Sequence, residues 1–213
     1  MIYILFCYLI MFIQKIRNIE KYYIEACQYF NGWEYPYDIK KESLIARFFI
    51  SQNIDKIYWI KKYIPETNCH WAPVFSDDIR WSISHTEDMI FIWVALESIW
   101  VDTEIYKKRD ICLLNYFSKI EYELLWWKNF KNFYIIWTAK ESLIKYHLSW
   151  LDDIENISLV AAKVYRIEID WVSFLWQLIL SYRFKYYTIY SGEKAWVVYS
   201  FCYDTANSLK KYM

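Results

Sequence analysis

The chain places two carboxylates at a spacing that could bind a metal ion. Asp102 and Glu104 lie two residues apart at the end of the apolar run "IWVDTEI", which is predicted to be a strand. Because side chains alternate across a strand, both carboxylates point to the same side. They form a reasonable half-site for Mg²⁺, which takes its remaining oxygens from water and substrate phosphates. Taken alone, the pair also fits a solvated strand end, which is the commoner case.

A third carboxylate, Glu141, lies in the predicted helix "WTAKESLIK", with Lys140 beside it and Lys145 four residues later. The simplest interpretation is a surface Glu–Lys pair that contributes a few tenths of a kcal/mol. Lys145 shares the helical face of Glu141, whereas Lys140 lies about 100° away around the axis. The two lysines therefore need not have the same role.

His85 lies in the segment "SISHT", where a predicted strand leads into a turn. A single His is more often structural than functional. Ser84, His85 and Thr86 at a strand-to-turn junction are nevertheless a fair set of hydrogen-bond donors for phosphate oxygens. His70 and His147 have no comparable setting and are predicted to be surface residues.

Together, the three segments are far more specific than any one of them. His85 precedes Asp102 by 17 residues, and Glu104 precedes Glu141 by 37. The set closely resembles the 4′-phosphopantetheinyl transferase superfamily, whose signatures look like (S/N)-x-S-H-(S/T), G-(V/I)-D-x-E and W-(T/S)-x-K-E-(S/A)-x-x-K. The first and third are complete here, and the second lacks only its glycine, whose place Trp100 takes. "YFSKIEYELL" and "WAPVF" are similar to further family motifs.

That resemblance implies an activity and a fold. The enzyme would transfer the 4′-phosphopantetheine group of coenzyme A to a serine of an acyl or peptidyl carrier protein, releasing adenosine 3′,5′-bisphosphate. Its length is similar to that of the Sfp-type holo-acyl-carrier-protein synthases, which have two similar α/β halves in a pseudo-twofold arrangement. The halves would be about 1–99 and 100–213, in a cytoplasmic monomer that serves a pathway such as fatty acid biosynthesis. The alternative is a non-catalytic relative that binds coenzyme A or a carrier protein.

The resemblance also implies roles for particular residues. Asp102, Glu104 and Glu141 would hold Mg²⁺, which neutralises the pyrophosphate as the phosphoanhydride breaks. His85 and Lys145 would contact coenzyme A phosphates, with Ser84 and Lys140 nearby. The catalytic residues would be Glu141, Lys145 and His85. Either Glu141 or a metal-bound water would accept the serine proton, a choice that the family picture leaves open.

The elements that must position these residues mix strands and helices in both halves, which predicts an α+β fold. Strands are predicted at 2–10, 79–86, 165–170, 184–191 and 194–204, with two more inside 88–105 joined by a turn at Glu97–Ser98. Helices are predicted at 22–30, 40–54, 117–127 and 132–148. Ser118 is the expected N-cap of the third helix, with Glu121 completing a capping box. "SGEK" is the expected turn of the last hairpin.

Composition excludes several other classes of protein. The charge is balanced, with 25 basic and 25 acidic residues, which argues against a nucleic-acid-binding protein, including an aromatic-rich binder of single strands. Five Cys without a C-x-x-C pair imply neither a zinc site nor a disulfide framework, so a reducing compartment fits best. The apolar N-terminal segment is too short to span a bilayer, and its cations follow the apolar run, so a buried strand is predicted there and no membrane association.

Glycine and tryptophan occur in abnormal numbers. The chain has 2 Gly and 13 Trp, where average usage of about 7% would give roughly 15 Gly. Trp71, Trp100, Trp126 and Trp127 occupy turn, strand-end or helix-end positions, and Gly is the expected residue at many such places. The chain is also rich in residues with A/T-rich codons, so one hypothesis is that its gene reads UGA as glycine. UGG codons at these four positions would exclude the hypothesis and leave a truly Trp-rich protein.

Overall fold

The fold mixes helices and strands, which confirms the predicted α+β class. The computed structural model describes residues 10–15, 19–30, 40–58, 66–67, 73–74, 80–86, 89–95, 99–169, 172–194 and 196–203. The chain divides into two compact units, residues 1–96 and 97–213. The boundary between the two predicted halves was placed three residues later, after residue 99. No helix among the described residues is long and apolar enough to cross a membrane.

The N-terminal unit packs helices against a three-stranded antiparallel sheet. Its helices are α1 (Ile19–Tyr29) and α2 (Lys41–Tyr58), and its strands are β1 (Ile10–Lys15), β2 (Glu66–Thr67), β3 (Pro73–Val74), β4 (Arg80–Thr86) and β5 (Met89–Ala95). The sheet order is β1-β5-β4, and β2 pairs separately with β3. Apolar residues of α2, among them Ile45 and Ile50, pack against Trp81, Ile90 and Ile92 of the sheet. The predicted strand at 2–10 lies, except for Ile10, outside the described residues.

The C-terminal unit is a five-stranded antiparallel sheet that carries a long helix. Its strands are β6 (Ile99–Ile105), β7 (Ser158–Ile169), β8 (Val172–Tyr182), β9 (Lys185–Lys194) and β10 (Val197–Tyr203), and its helices are α3 (Lys119–Leu124) and α4 (Phe130–His147). Single 3₁₀ turns occupy Ile111–Asn115 and Leu151–Asn156. The strand order is β6-β10-β9-β8-β7, and α4 packs on β6, β9 and β10. This packing buries most of α4.

Strand β8 was not predicted from the sequence. Its buried residues alternate strictly, as expected for a strand with one face on the core. On that face they are Trp176, Leu178, Leu180 and Tyr182, whereas Phe174, beyond a register shift, packs against Tyr199 and Phe201. Several positions between them are also apolar, in the sequence "VSFLWQLILSY". That continuous apolar run hid the period of two that identifies a half-buried strand.

The predicted capping box at the start of α3 is confirmed. The Ser118 hydroxyl accepts a hydrogen bond from the Glu121 N–H at 3.3 Å, and the Glu121 carboxylate accepts one from the Ser118 N–H at 3.0 Å. Helix α4 has its own cap, since the side chain of Asn129 accepts from the Asn132 N–H at 2.8 Å. Both caps satisfy donors that a helix N-terminus leaves unpaired.

The predicted hairpin turn at "SGEK" is wrong, because β9 continues through these residues to Lys194. The hairpin of β9 and β10 exists, but its turn lies beyond that residue. Gly192 is needed inside the strand for close packing: a Cβ there would lie 2.3 Å from the Ser173 carbonyl oxygen and 2.7 Å from the Tyr199 ring. The turn prediction therefore singled out Gly192, but the glycine is required by close packing inside a strand and not by a turn.

The tight turn of the unit joins β8 to β9 at Arg183 and Phe184. Their φ angles are 49° and 62°. Positive φ at both central residues is the pattern of a type I′ hairpin turn, which normally selects Asn or Gly. No turn is predicted there from the sequence, because neither residue belongs to the types that favour such a backbone.

The tryptophans fall into two structural groups. Trp126 follows α3 with a φ of 74°, in the left-handed region that favours glycine. Of the Trp side chains that the structure describes, four are largely exposed: Trp126 (65%), Trp127 (71%), Trp150 (80%) and Trp196 (69%). Trp137, in contrast, stacks on Phe133 with ring centroids 5.8 Å apart. Exposed Trp residues of this kind are what glycine codons translated as Trp would produce. The codon hypothesis stays a prediction. Trp71 lies outside the described residues.

Candidate active site

The predicted metal ligands come from one strand and one helix of the C-terminal unit. In the pairing of β6 with β10, Asp102 lies opposite Ser200 and Glu104 opposite Val198. Alternate residues of a strand share a face, so both carboxylates lie on the side of the sheet that α4 covers. Glu141 lies on α4 itself. The fold therefore brings together residues from two motifs that are far apart in the sequence.

Lys145 is the cation of this cluster. Its ammonium donates to the Asp102 carboxylate at 2.7 Å and to the Val101 carbonyl oxygen at 3.2 Å. The side chain of Asp102 is 4% exposed and that of Lys145 is 34% exposed. The hydrogen bonds of Lys145 thus join α4 to β6. The simplest interpretation of the sequence, a surface pair of Glu141 and Lys145 within one helix, does not include such a link.

The carboxyl of Glu141 has a strongly perturbed protonation state. Burial raises its pKa to about 9, together with the negative charge of Asp102 and a hydrogen bond to it; Glu104 adds to the rise and Lys145 opposes it. Glu141 is therefore protonated at neutral pH when no metal is present. A proton between two carboxylates reduces the repulsion between their negative charges. A metal cation bound at the same place would have the same effect.

The donor set fits Mg²⁺ by its chemistry. Carboxylate oxygens are the ligands that this ion prefers, and it needs only one or two from protein when substrate phosphates complete its coordination. Among the described residues, no three His, Cys, Asp or Glu side chains form a preassembled metal-binding group. Instead, the Lys145 ammonium lies 2.7 Å from the Asp102 carboxylate, and burial and the charge of Asp102 raise the pKa of Glu141, which favours its protonated form. Binding of the metal would replace the Glu141 proton.

The raised pKa of Glu141 predicts how the stability of the metal-free protein depends on pH. The folded carboxyl titrates near pH 9, and its ordinary value is 4.5. Between these values the folded state binds more protons than the unfolded state, so the free energy of unfolding should fall as pH rises, by up to about 1.4 kcal/mol per pH unit. Glu141→Gln should remove this slope. Urea unfolding with a chelator present, from about pH 5 to about pH 9, measures the difference; equal slopes would contradict it.

Lys140 does not join the cluster. Its side chain is 3% exposed, and its ammonium lies 2.8 Å from the Glu121 carboxylate and 4.5 Å from the centre of the Phe117 ring. Glu121 also accepts a hydrogen bond from the Leu159 N–H at 3.0 Å. A contact between Lys140 and a coenzyme A phosphate would first require a buried ion pair to break. The predicted phosphate role of Lys140 gains no support from this placement.

The pKa values of Lys140 and Glu121 both lie below their usual values. Burial lowers the pKa of Lys140, and Glu121 only partly offsets the shift. For Glu121, burial raises the pKa, but the Leu159 N–H and the Lys140 ammonium outweigh it and leave the pKa below its usual value. The sequence identified Glu121 as the partner of Ser118 in the capping box and as part of the motif-like segment "YFSKIEYELL". Its burial and its second role depend on α4, which no local pattern indicates.

Ser84 and His85 lie in the N-terminal unit, near the end of β4. Ser84 is 5% exposed, whereas His85 and Thr86 are half-buried. Adjacent side chains of a strand point to opposite faces, so Ser84 and His85 are directed differently from the strand. Their predicted contacts with coenzyme A stay predictions.

The other two histidines were both predicted to be surface residues. His147 is instead half-buried, with its ring 5.0 Å from the rings of both Tyr182 and Tyr187. It lies at the end of α4, where tyrosines of β8 and β9 cover it. His70 is outside the described residues.

Comparison with models of known protein families finds no match to this chain, and comparison with curated protein sequences finds none either.

Proposed function

We propose that this protein is a Mg²⁺-dependent 4′-phosphopantetheinyl transferase that modifies an acyl or peptidyl carrier protein. Its two units would be the similar halves of the pseudo-twofold fold of that superfamily. The observation that carries the proposal is the cluster of Asp102, Glu141 and Lys145. These residues come from two motifs about forty residues apart, and both Glu141 and Lys145 lie within hydrogen-bonding reach of Asp102. A solvated strand end would not bury Asp102 against a helix.

In the proposed reaction, the serine oxygen of the carrier protein bonds to the phosphorus that carries pantetheine. The bond from that phosphorus to the bridging oxygen of the pyrophosphate breaks, and adenosine 3′,5′-bisphosphate leaves. The serine proton passes to Glu141 or to a water molecule held beside it. Mg²⁺, when bound by Asp102, Glu104 and Glu141, supplies neutralising charge for the pyrophosphate.

Lys145 has a defined part in this scheme. Burial alone would lower its pKa, but Asp102 and Glu141 outweigh that effect and raise it. The ammonium is therefore charged at neutral pH, and its bonds to Asp102 and the Val101 carbonyl hold it beside the carboxylates. A fixed positive charge there would bind a phosphate oxygen of coenzyme A. The resemblance adds Ser84, His85 and Lys140 as further phosphate contacts.

Trp100 favours the second candidate function, a non-catalytic protein that binds coenzyme A or a carrier protein. It occupies the position where the superfamily motif has glycine, and on β6 it shares a face with Asp102 and Glu104. Its half-buried indole lies opposite Cys202 on that face. A side chain of this size beside the carboxylates would restrict the space for a metal ion and a pyrophosphate.

One assay separates the two functions. Purified protein is incubated with coenzyme A, Mg²⁺ and an apo-carrier protein, and the carrier is weighed by mass spectrometry. The transferase is expected to add one phosphopantetheine to the carrier and none to a carrier whose acceptor serine is replaced by Ala. If no mass is gained while calorimetry detects coenzyme A binding, the transferase proposal is rejected in favour of the binding protein.

A further inference from the structure

A chain of three buried hydroxyls joins α4 to the sheet beside Asp102. The Thr138 hydroxyl lies 2.7 Å from that of Ser200, which lies 2.6 Å from that of Ser191. All three residues are fully buried. Thr138 also donates to the Tyr134 carbonyl oxygen at 2.9 Å. Each hydroxyl has one proton to donate, so the donation runs from Ser191 to Ser200, then to Thr138, and ends at that carbonyl.

The register of the sheet places the three hydroxyls next to the candidate metal ligands. Ser200 of β10 lies opposite Asp102 on one side and opposite Ser191 on the other. Residues directly opposite in antiparallel strands have neighbouring side chains on the same face. Asp102, Ser200 and Ser191 thus form one row across β6, β10 and β9. Thr138 reaches this row from α4, one helical turn before Glu141.

The hydroxyl chain fixes α4 in a way that apolar packing does not. Apolar contacts are non-directional and allow a helix to slide along a sheet at modest cost, whereas hydrogen bonds weaken steeply when their distance or angle changes. A shift of α4 along β10 would leave the hydroxyl proton of Ser200 without its acceptor, Thr138, in a dry interior, which is unfavourable. The turn that carries Glu141 is therefore held at one position relative to Asp102.

We propose that Thr138, Ser200 and Ser191 are positioning residues that set the distance between Glu141 and the carboxylates of β6, and with it the affinity of the site for Mg²⁺. The inference rests on the proposed metal role of Asp102, Glu104 and Glu141. It assigns no contact between the hydroxyls and the ion. It adds to the superfamily motifs two serines, one from β9 and one from β10, that no motif contains.

The test compares variants of the full chain by Mg²⁺ calorimetry without any substrate, alongside thermal unfolding. Thr138→Val and Ser200→Ala break the link between helix and sheet and are expected to weaken Mg²⁺ binding by about tenfold or more, as loss of an outer support does at metal sites. Thr138→Ser keeps the hydroxyl and should bind within about twofold of the unaltered protein. Ser142→Ala is the matched control.

Ser142 is as fully buried on the same helix, but its hydroxyl donates at 2.8 Å to the Ala139 carbonyl oxygen of its own helix. Its loss should lower the melting temperature without changing Mg²⁺ affinity. Equal Mg²⁺ affinities for Thr138→Val, Ser200→Ala and Ser142→Ala would overturn the inference, as would an unaltered protein that does not bind Mg²⁺. If Thr138→Val does not fold, Ser191→Ala removes only the far donor and should give a smaller loss than Ser200→Ala.

Failure of the inference can be told apart from failure of the proposed function. A protein that binds Mg²⁺, loses affinity in the link variants and transfers nothing to a carrier would refute the transferase alone. A protein that transfers phosphopantetheine with the same Mg²⁺ affinity in all variants would refute the positioning role alone.

Discussion

Asp102→Asn and Glu141→Gln are each expected to slow phosphopantetheine transfer by about a thousandfold, which corresponds to about 4 kcal/mol of activation free energy. Each variant keeps the size of the side chain and replaces a carboxylate, which would be charged when the metal is bound, by a neutral amide. The site would then neutralise the pyrophosphate less well, because the metal ion that supplies positive charge would be held weakly. Transfer rates at saturating coenzyme A and a range of Mg²⁺ concentrations measure the effect.

Glu193→Gln is the matched control for these variants. The Glu193 carboxylate also joins α4 to the sheet, by an ion pair with Lys131 at 2.6 Å, but it is an exposed pair. Transfer by this variant should stay within about twofold of the unaltered protein, since exposed pairs contribute little. Transfer by Asp102→Asn or Glu141→Gln at a comparable rate would contradict the metal assignment.

Lys140→Met is expected to lower the free energy of unfolding by about 3–5 kcal/mol. The change leaves the Glu121 carboxylate buried without the ammonium that lies 2.8 Å from it. A loss of this size is a large part of the total of about 5–15 kcal/mol that stabilises a typical domain. Denaturant unfolding followed by circular dichroism measures it.

Two further variants show whether the loss comes from the buried charge. Lys131→Met breaks the exposed pair with Glu193 on the same helix and should cost less than about 1 kcal/mol. Adding Glu121→Leu to Lys140→Met should recover part of the loss, because it removes the unpaired carboxylate. If Lys140→Met costs no more than Lys131→Met, the ion pair does not have the role assigned to it.

Features that depend on nearby residues could be predicted from the sequence. The capping box of Ser118 and Glu121 spans three residues, and its chemistry is complete within them. Helix α4 and strand β6 were located by their apolar patterns and the motifs they carry, and they place Asp102, Glu141 and Lys145 as candidates. These signals survive folding because backbone geometry fixes which side chains share a face of one element.

The failures concern residues whose role depends on distant partners. Gly192 was assigned to a turn, because a glycine in a polar segment usually marks one. In the fold it lies in β9, where Ser173 and Tyr199 leave no space for a Cβ. The phosphate contact of Lys140 stays a prediction, but its ion pair with Glu121 is a distant contact that the motif beside Glu141 did not indicate.

The sequence by itself determined the α+β class, most of the elements and the set of residues that could do chemistry. Only the tertiary structure decided which of them meet: Lys145 with Asp102, Lys140 with Glu121, and Thr138 with Ser200. The physical reason is that local patterns fix the direction of a side chain from its own helix or strand. Its partner, its burial and therefore its pKa are set by whichever element packs against that face.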